Sequence, residues 1–160
     1  MRADGTRELN LTRHPAYDGT PTWSPNGRRF AFRSTRAPGG NGIWVMRLRG
    51  GAPRWIPEAG QQTRTPEWSP TGNRLLFVSN RTGNDEIWTI RTNGKGLRQL
   101  TFDPARDADP VWSRDGSAFV FASSRTGYRD IYWQALGSRR AHRVTTSPTE
   151  DILPAWFRQG

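Results

Sequence analysis

The sequence predicts an all-β protein, a β-propeller of four-stranded antiparallel blades with three complete blades and a partial blade at each end of an incomplete ring. Three observations predict it. A stretch of proline, any residue, tryptophan and a turn ending in glycine occurs four times, with its tryptophans 45, 44 and 44 residues apart. A period of that size is the mark of a solenoid, a propeller or an array. Each period holds four short runs suited to strands, and no helical periodicity of useful length interrupts them.

The four copies are Pro21-Thr22-Trp23-Ser24-Pro25-Asn26-Gly27, Pro66-Glu67-Trp68-Ser69-Pro70-Thr71-Gly72, Pro110-Val111-Trp112-Ser113-Arg114-Asp115-Gly116 and Pro154-Ala155-Trp156-Phe157-Arg158-Gln159-Gly160. Aligned on tryptophan, they divide the chain into blades at about 13–57, 58–101 and 102–145, with partial repeats at 1–12 and 146–160. The partial repeats keep register: Leu11-Thr12, Ile56-Pro57, Leu100-Thr101 and Val144-Thr145 each end nine residues before the repeat proline.

Within a repeat the first strand leads into the tryptophan and ends at an Asn26-Gly27 or Asp115-Gly116 turn, a strong hairpin signal. The second strand is Phe30 to Ser34, Leu75 to Ser79 or Phe119 to Ser123. The last two are apolar on both alternating faces, as a strand sandwiched between two sheets requires. The third begins at Ile43, Ile87 or Ile131, and a glycine-bearing turn, Asn93-Gly94 in the second repeat, leads to a short fourth strand. Trp23, Trp68, Trp112 and Trp156, in equivalent positions, are expected to form the core between blades. Gly27, Gly72 and Gly116 are expected to supply positive φ in the turns.

Composition narrows the function. Among 160 residues only 33% are hydrophobic, but eight are tryptophan, which suits a packed β protein better than a disordered chain. No apolar run approaches the roughly 20 residues of a membrane-spanning helix, and the first residues show no secretory leader. With no cysteine, disulfides, thiolate metal sites and cysteine nucleophiles are excluded. The formal charge is +10 and Lys95 is the only lysine. Because the arginines spread along the whole chain, the sequence favours an arginine-biased solvated surface over binding of nucleic acid or another polyanion.

The unit of Pro-x-Trp-Ser-Pro-Asp-Gly, apolar strand, Ser-x-Arg-x-Gly, Ile-Trp/Tyr, Asp-Gly and Leu-Thr resembles the WD40-like repeat of TolB-type β-propellers. It is carried here also by Ser79-Asn80-Arg81-Thr82-Gly83, Ser123-Ser124-Arg125-Thr126-Gly127, Ala3-Asp4-Gly5 and Leu11-Thr12. Arg114 and Arg158 depart from it at the usual proline, Phe157 at the serine, and Ala37–Gly42 holds one inserted residue. The resemblance implies a bacterial, periplasmic or extracytoplasmic setting and a role as a protein-interaction platform.

Three groups of residues are candidates for a site. Strand order puts the inter-blade loops and the loops between second and third strands on one face. These loops differ most between repeats, and functional residues favour loops on a rigid scaffold. Tyr17, Asp18, Arg64, Asn84, Asp85, Arg106, Asp107, Tyr128 and Arg129 are the partner-binding candidates there. Asp18, Asp107 and Asp151, each five residues before its tryptophan, could offer oxygen ligands to a hard cation, although Thr63 breaks the set. Arg36, Arg81 and Arg125 recur thirteen residues after each tryptophan and read as structural donors to a nearby loop or carboxylate, such as Glu86 or Asp130.

Catalysis finds no motif: the only histidines, His14 and His142, share none, and there is neither a nucleophile elbow nor a zinc-binding helix. The expectation is a non-enzymatic scaffold, without cofactor, that binds another protein and can self-associate through open blade edges. The alternative is the propeller of a multidomain enzyme of the prolyl-oligopeptidase kind.

Overall fold

The computed structural model describes residues 9–60, 62–146 and 148–155. Trp156 and the rest of the fourth copy's turn lie outside the described residues, as does Ala3-Asp4-Gly5. The chain folds into three four-stranded antiparallel sheets, each in simple sequence order. The first comprises β1 Asp18–Trp23, β2 Arg29–Ala37, β3 Gly40–Arg47 and β4 Arg54–Trp55. The second comprises β5 Thr63–Trp68, β6 Arg74–Ser79, β7 Glu86–Arg91 and β8 Arg98–Gln99. The third comprises β9 Asp107–Trp112, β10 Ala118–Ser123, β11 Asp130–Ala135 and β12 Ala141–Arg143. Among the described residues the sheets do not close into a ring, so this is a partial β-propeller.

The repeated turn explains its own sequence. Ser24, Ser69 and Ser113, directly after the tryptophans, are buried. Each hydroxyl accepts the backbone N–H five residues on, from Arg29 at 2.9 Å, Arg74 at 3.1 Å and Ala118 at 2.9 Å. Each serine carbonyl also accepts the N–H of the turn glycine, at 2.8 to 3.0 Å. The third copy keeps this geometry with Arg114 in place of proline, because the serine and the glycine carry the turn. Gly27, Gly72 and Gly116 hold φ of 64°, 77° and 73°. A Cβ on Gly27 would meet nothing within 4 Å, so only its backbone angle demands glycine. Gly27→Ala is therefore expected to cost about 1 kcal/mol, and Gly27→Asn less, in urea-unfolding midpoints. Equal loss for both would show that crowding decides the site instead.

The core lies between sheets. Leu75, Phe77, Trp88 and Ile90 of the second sheet pack with Trp68 against Ala31, Ile43 and Val45 of the first. The alternate residues Leu76, Val78 and Ile87 pack with Trp112 against Phe119, Phe121 and Tyr132 of the third. The doubly apolar β6 thus serves both seams. Trp68 and Trp112 are 4% and 5% exposed, but Trp23 is 53% exposed. It lines an open cleft of about 330 Å³ with Leu9, Leu11, Phe30 and Phe32. The expected inter-blade burial therefore holds for Trp68 and Trp112, whereas no blade among the described residues covers Trp23.

Two local features differ from expectation. Ala37–Gly42, expected as the loop between second and third strands of the first repeat, is mostly strand: β2 and β3 stay paired out to Ala37 and Gly40 across a bulge, leaving a tight Pro38-Gly39 turn. The innermost strands, and the segment leading into Pro154, also carry backbone that nothing in the sequence signals. Thr20, Thr65, Asp109 and Leu153, each just before a repeat proline, have φ between 44° and 55°. The strand register breaks there in all three sheets. A proline has no N–H to give a ladder, and the bulge is where a sheet tolerates it. These residues and their prolines line one cavity of about 200 Å³, where the inner strands converge.

Candidate functional site

Strand direction brings the ends of the inner strands, the inter-blade loops and the turns between second and third strands to a single face, called here the loop face. Its organising unit is the repeated arginine. Arg36, Arg81 and Arg125 each donate from Nε to the serine two residues earlier: Ser34 at 2.9 Å, Ser79 at 3.1 Å and Ser123 at 2.9 Å. Those serines are fully buried. Each guanidinium also covers two rings: Phe32 and Trp44, Phe77 and Trp88, or Phe121 and Tyr132. The Ser-x-Arg spacing thus clamps the second strand's end over the aromatic seam.

The carboxylates these arginines take are not Glu86 and Asp130, as the sequence suggested. Arg36 pairs with Asp18 at 2.5 Å, and Arg125 with Asp107 at 2.7 Å. Strand register is the reason: Asp18 stands opposite Ser34, and Asp107 opposite Ser123. Each acid therefore lies beside the serine that aims the guanidinium. Two of the three candidate cation ligands are thereby engaged by arginine, and Asp151 donates its backbone N–H to the Arg129 carbonyl at 2.7 Å. Among the described residues, no group of three or more acids or histidines is placed to hold a metal ion. In the second blade, where Thr63 replaces the acid, Arg81 donates instead to the Glu58 carbonyl at 3.4 Å.

Five of the nine partner-binding candidates meet in the seam between the second and third blades. Asp85 accepts from Arg64 and from Arg106, the latter at 2.7 Å. Asn84 donates to the carbonyls of Asp103 at 2.7 Å and Ala105 at 3.0 Å, fastening the loop that enters the third blade. The Asp107 N–H donates to the Asp85 carbonyl at 2.9 Å. Arg106 and part of Arg64 remain open to solvent over this base. Tyr17 and Asp18 lie apart on the first blade, where Arg33 sits 5.1 Å from the exposed Tyr17 ring. Tyr128 and Arg129 lie on the third, and Tyr128 is exposed.

Sequence reasoning named Glu86 as an arginine partner but missed its burial beneath this seam. Glu86 is 2% exposed and accepts from Thr101 Oγ1 at 2.5 Å and Asn84 Nδ2 at 3.1 Å. Burial, with the Asp107 charge adding to it, pushes the Glu86 carboxyl up to about 7 against the opposing bonds of Thr101 and Asn84 and the charge of Arg125. Burial also raises Asp107, against its Ser123 and Arg125 partners. At Asp18 burial acts in the same direction, but bonds from Ser34, Thr12 and Arg36 outweigh it and hold the carboxyl low. A glutamate heading an apolar strand gave no sign of burial. The Leu-Thr signature was the available clue, since Thr101 supplies its short bond.

The chain matches the family model of the TolB beta propeller domain over residues 1–160. No curated protein matches it in sequence. Among solved structures, TolB from Acinetobacter baumannii superposes with a TM-score of 0.77 at 25% identity, over 86% of this chain and 34% of that one. A putative TolB from Agrobacterium tumefaciens does so with 0.70 at 23% identity, over 81% and 49%. The β-propeller domain of the Trilobed protease from Pyrococcus furiosus gives 0.63 at 18%, over 89% and 52%. This chain therefore spans between a third and a half of the TolB proteins it matches. With its repeated Trp-Ser turns, Ser-x-Arg clamps and four-stranded blades, the chain belongs to the TolB β-propeller domain family.

Proposed function

We propose that this chain is a non-catalytic propeller scaffold that binds another protein through its loop face. The observation that carries this reading is the seam at Asp85. Two arginines from different blades converge on one carboxylate, over a loop fastened by Asn84. Such a base holds solvent-facing arginine in a fixed geometry, and arginine and tyrosine are the side chains that dominate protein interfaces. Tyr17 on the first blade and Tyr128 on the third, 59% and 58% exposed, share its face. A rigid polar base with open aromatic flanks suits a protein surface better than a small substrate.

A photo-crosslinking side chain at Tyr128, compared with one at Arg114 on the opposite face, tests this in cells of the source organism. A discrete protein adduct is expected from position 128 that weakens when Asp85→Ala releases both arginines. Equal adducts from both faces, or none from position 128, would remove the reading. A second reading, in which the propeller covers the entrance of an enzyme, draws on the likeness to the protease propeller. A catalytic domain encoded next to this segment would favour that reading.

A further inference from the structure

The arginines that look scattered in sequence are sorted by the fold. The turns between first and second strands, and between third and fourth, fall together on the face opposite the loop face. With the strand residue at one or both sides of each, these turns take in residues 24–29, 47–54, 69–74, 91–98, 113–118 and 135–141. They carry twelve basic residues against one acid, Asp115. That surplus exceeds the +10 of the whole chain. Asp115 is itself occupied, accepting from Ser113 at 2.6 Å and from Ser117 at 2.7 Å.

The ion pairs follow the same division. Every carboxylate in an ion pair among the described residues (Asp18, Asp85, Asp103, Asp107 and Asp130) belongs to the loop-face half. By contrast, Arg28, Arg47, Arg49, Arg91, Lys95 and Arg114 are all exposed. Among the described residues, none of these six has an ion pair. A face with this much positive charge attracts polyanions, and besides Asp115 the Glu58 carboxylate reaches it, against Gly94 beside Lys95.

The shape of the face distinguishes among polyanions. Arg28, Arg47 and Arg49 rim an open cleft of about 660 Å³ with Leu48 and the glycines 27 and 50. The Leu48 N–H donates to the Arg28 carbonyl at 3.0 Å, tying the two turns of the first blade together. Leu48 in the first blade and Leu97 in the second are both 37% exposed, among the basic residues. Of the exposed rings, Tyr17 and Tyr128 lie on the other face, Trp23 lines the open cleft beside Leu9 and Leu11, and Arg139 covers Phe102, so the turns themselves carry no aromatic ring on which bases could stack. Basic residues around short apolar tips match an anionic bilayer, whose headgroups take the charge and whose acyl boundary takes the leucines.

We infer that the turn face is a docking surface for an anionic lipid membrane, leaving the loop face directed away from it. The surface is separate from the protein-binding seam at Asp85.

Co-sedimentation with vesicles of phosphatidylglycerol and phosphatidylcholine, against phosphatidylcholine alone, tests it. Binding is expected only to the anionic vesicles, and it should fall steeply as salt is raised. Arg47→Gln with Arg49→Gln should weaken it about thirty-fold, the worth of two basic residues at an anionic surface. Lys95→Gln with Arg114→Gln, on the other two blades, should act similarly. Arg13→Gln on the loop face should change it less than two-fold. These side chains make no bonds among the described residues, and unchanged thermal midpoints would show that the variants fold. Equal binding to neutral vesicles, no binding, or indifference to both turn-face pairs would overturn the inference. So would tighter binding to a DNA duplex than to anionic vesicles at equal phosphate, which would assign the face to nucleic acid.

Discussion

Trp68→Ala is expected to cost about 3 to 5 kcal/mol in unfolding free energy, whereas Trp23→Ala, the same substitution in the same motif, should cost less than about 1. Trp68 is 4% exposed and touches both the first and second blades, in a cluster with Ala31, Val45, Phe77 and Trp88. Its removal leaves a hole between two sheets that cannot collapse without breaking strand pairing. Arg29 also lies over its ring at 5.2 Å and would lose that contact. Trp23 keeps only one side of its ring against its own sheet, 5.6 Å from Phe30. Urea midpoints of the two variants check this directly. Similar losses would mean that the seams carry less of the stability than their burial implies.

The second large effect is a pH dependence centred on Glu86. Its carboxyl is raised to about 7 from an ordinary 4.5, so between those values the folded chain binds the proton more tightly than the unfolded one. Stability from this group is therefore fully present below about pH 4.5 and lost as pH rises toward 7. Above 7 the folded state holds a buried carboxylate beside Asp107. The loss is on the order of 2 kcal/mol once solvent screening is allowed for. Glu86→Gln removes the charge while keeping an amide in reach of Thr101 and Asn84. Relative to wild type, the variant should gain stability from pH 4.5 to pH 8, then level off. A difference between the two proteins that stays flat across this range would refute the linkage. Comparing the pair also cancels the separate titrations of Asp18 and Asp130, whereas Asp107 acts on Glu86 and titrates with it.

Some of this architecture could be read from single residues and some could not. The Trp-Ser turn was legible because its bonds are local: Ser24 reaches Arg29, only five residues on, and Gly27 answers to its own φ. The alternation of Leu75, Leu76, Phe77 and Val78 likewise predicted a strand with core on both sides. The partner of Arg125 was not legible. Its sequence neighbours offered Asp130, but the strand register set Asp107 beside Ser123, eighteen residues before the arginine. The positive φ at Thr20, Thr65, Asp109 and Leu153 was also hidden, because a residue before proline ordinarily prefers extended backbone. In the three sheets that conformation accompanies the register break at which the inner strand takes its proline.

The repeat, the blade, the turn chemistry and the seams between sheets follow directly from the order of residues, since each depends on contacts within a few residues or on periodic apolarity. The tertiary structure decided where charge resides. Successive strands run in opposite directions, so alternate turns meet at opposite ends of the sheets. Arginines that follow one another evenly along the chain are thereby divided: some pair with aspartates on the loop face, and others, Arg28, Arg47, Arg49, Arg91 and Arg114, stand on the turn face with no ion pair among the described residues. A one-dimensional count of charge cannot register that separation, because the distances that govern it are set by strand packing.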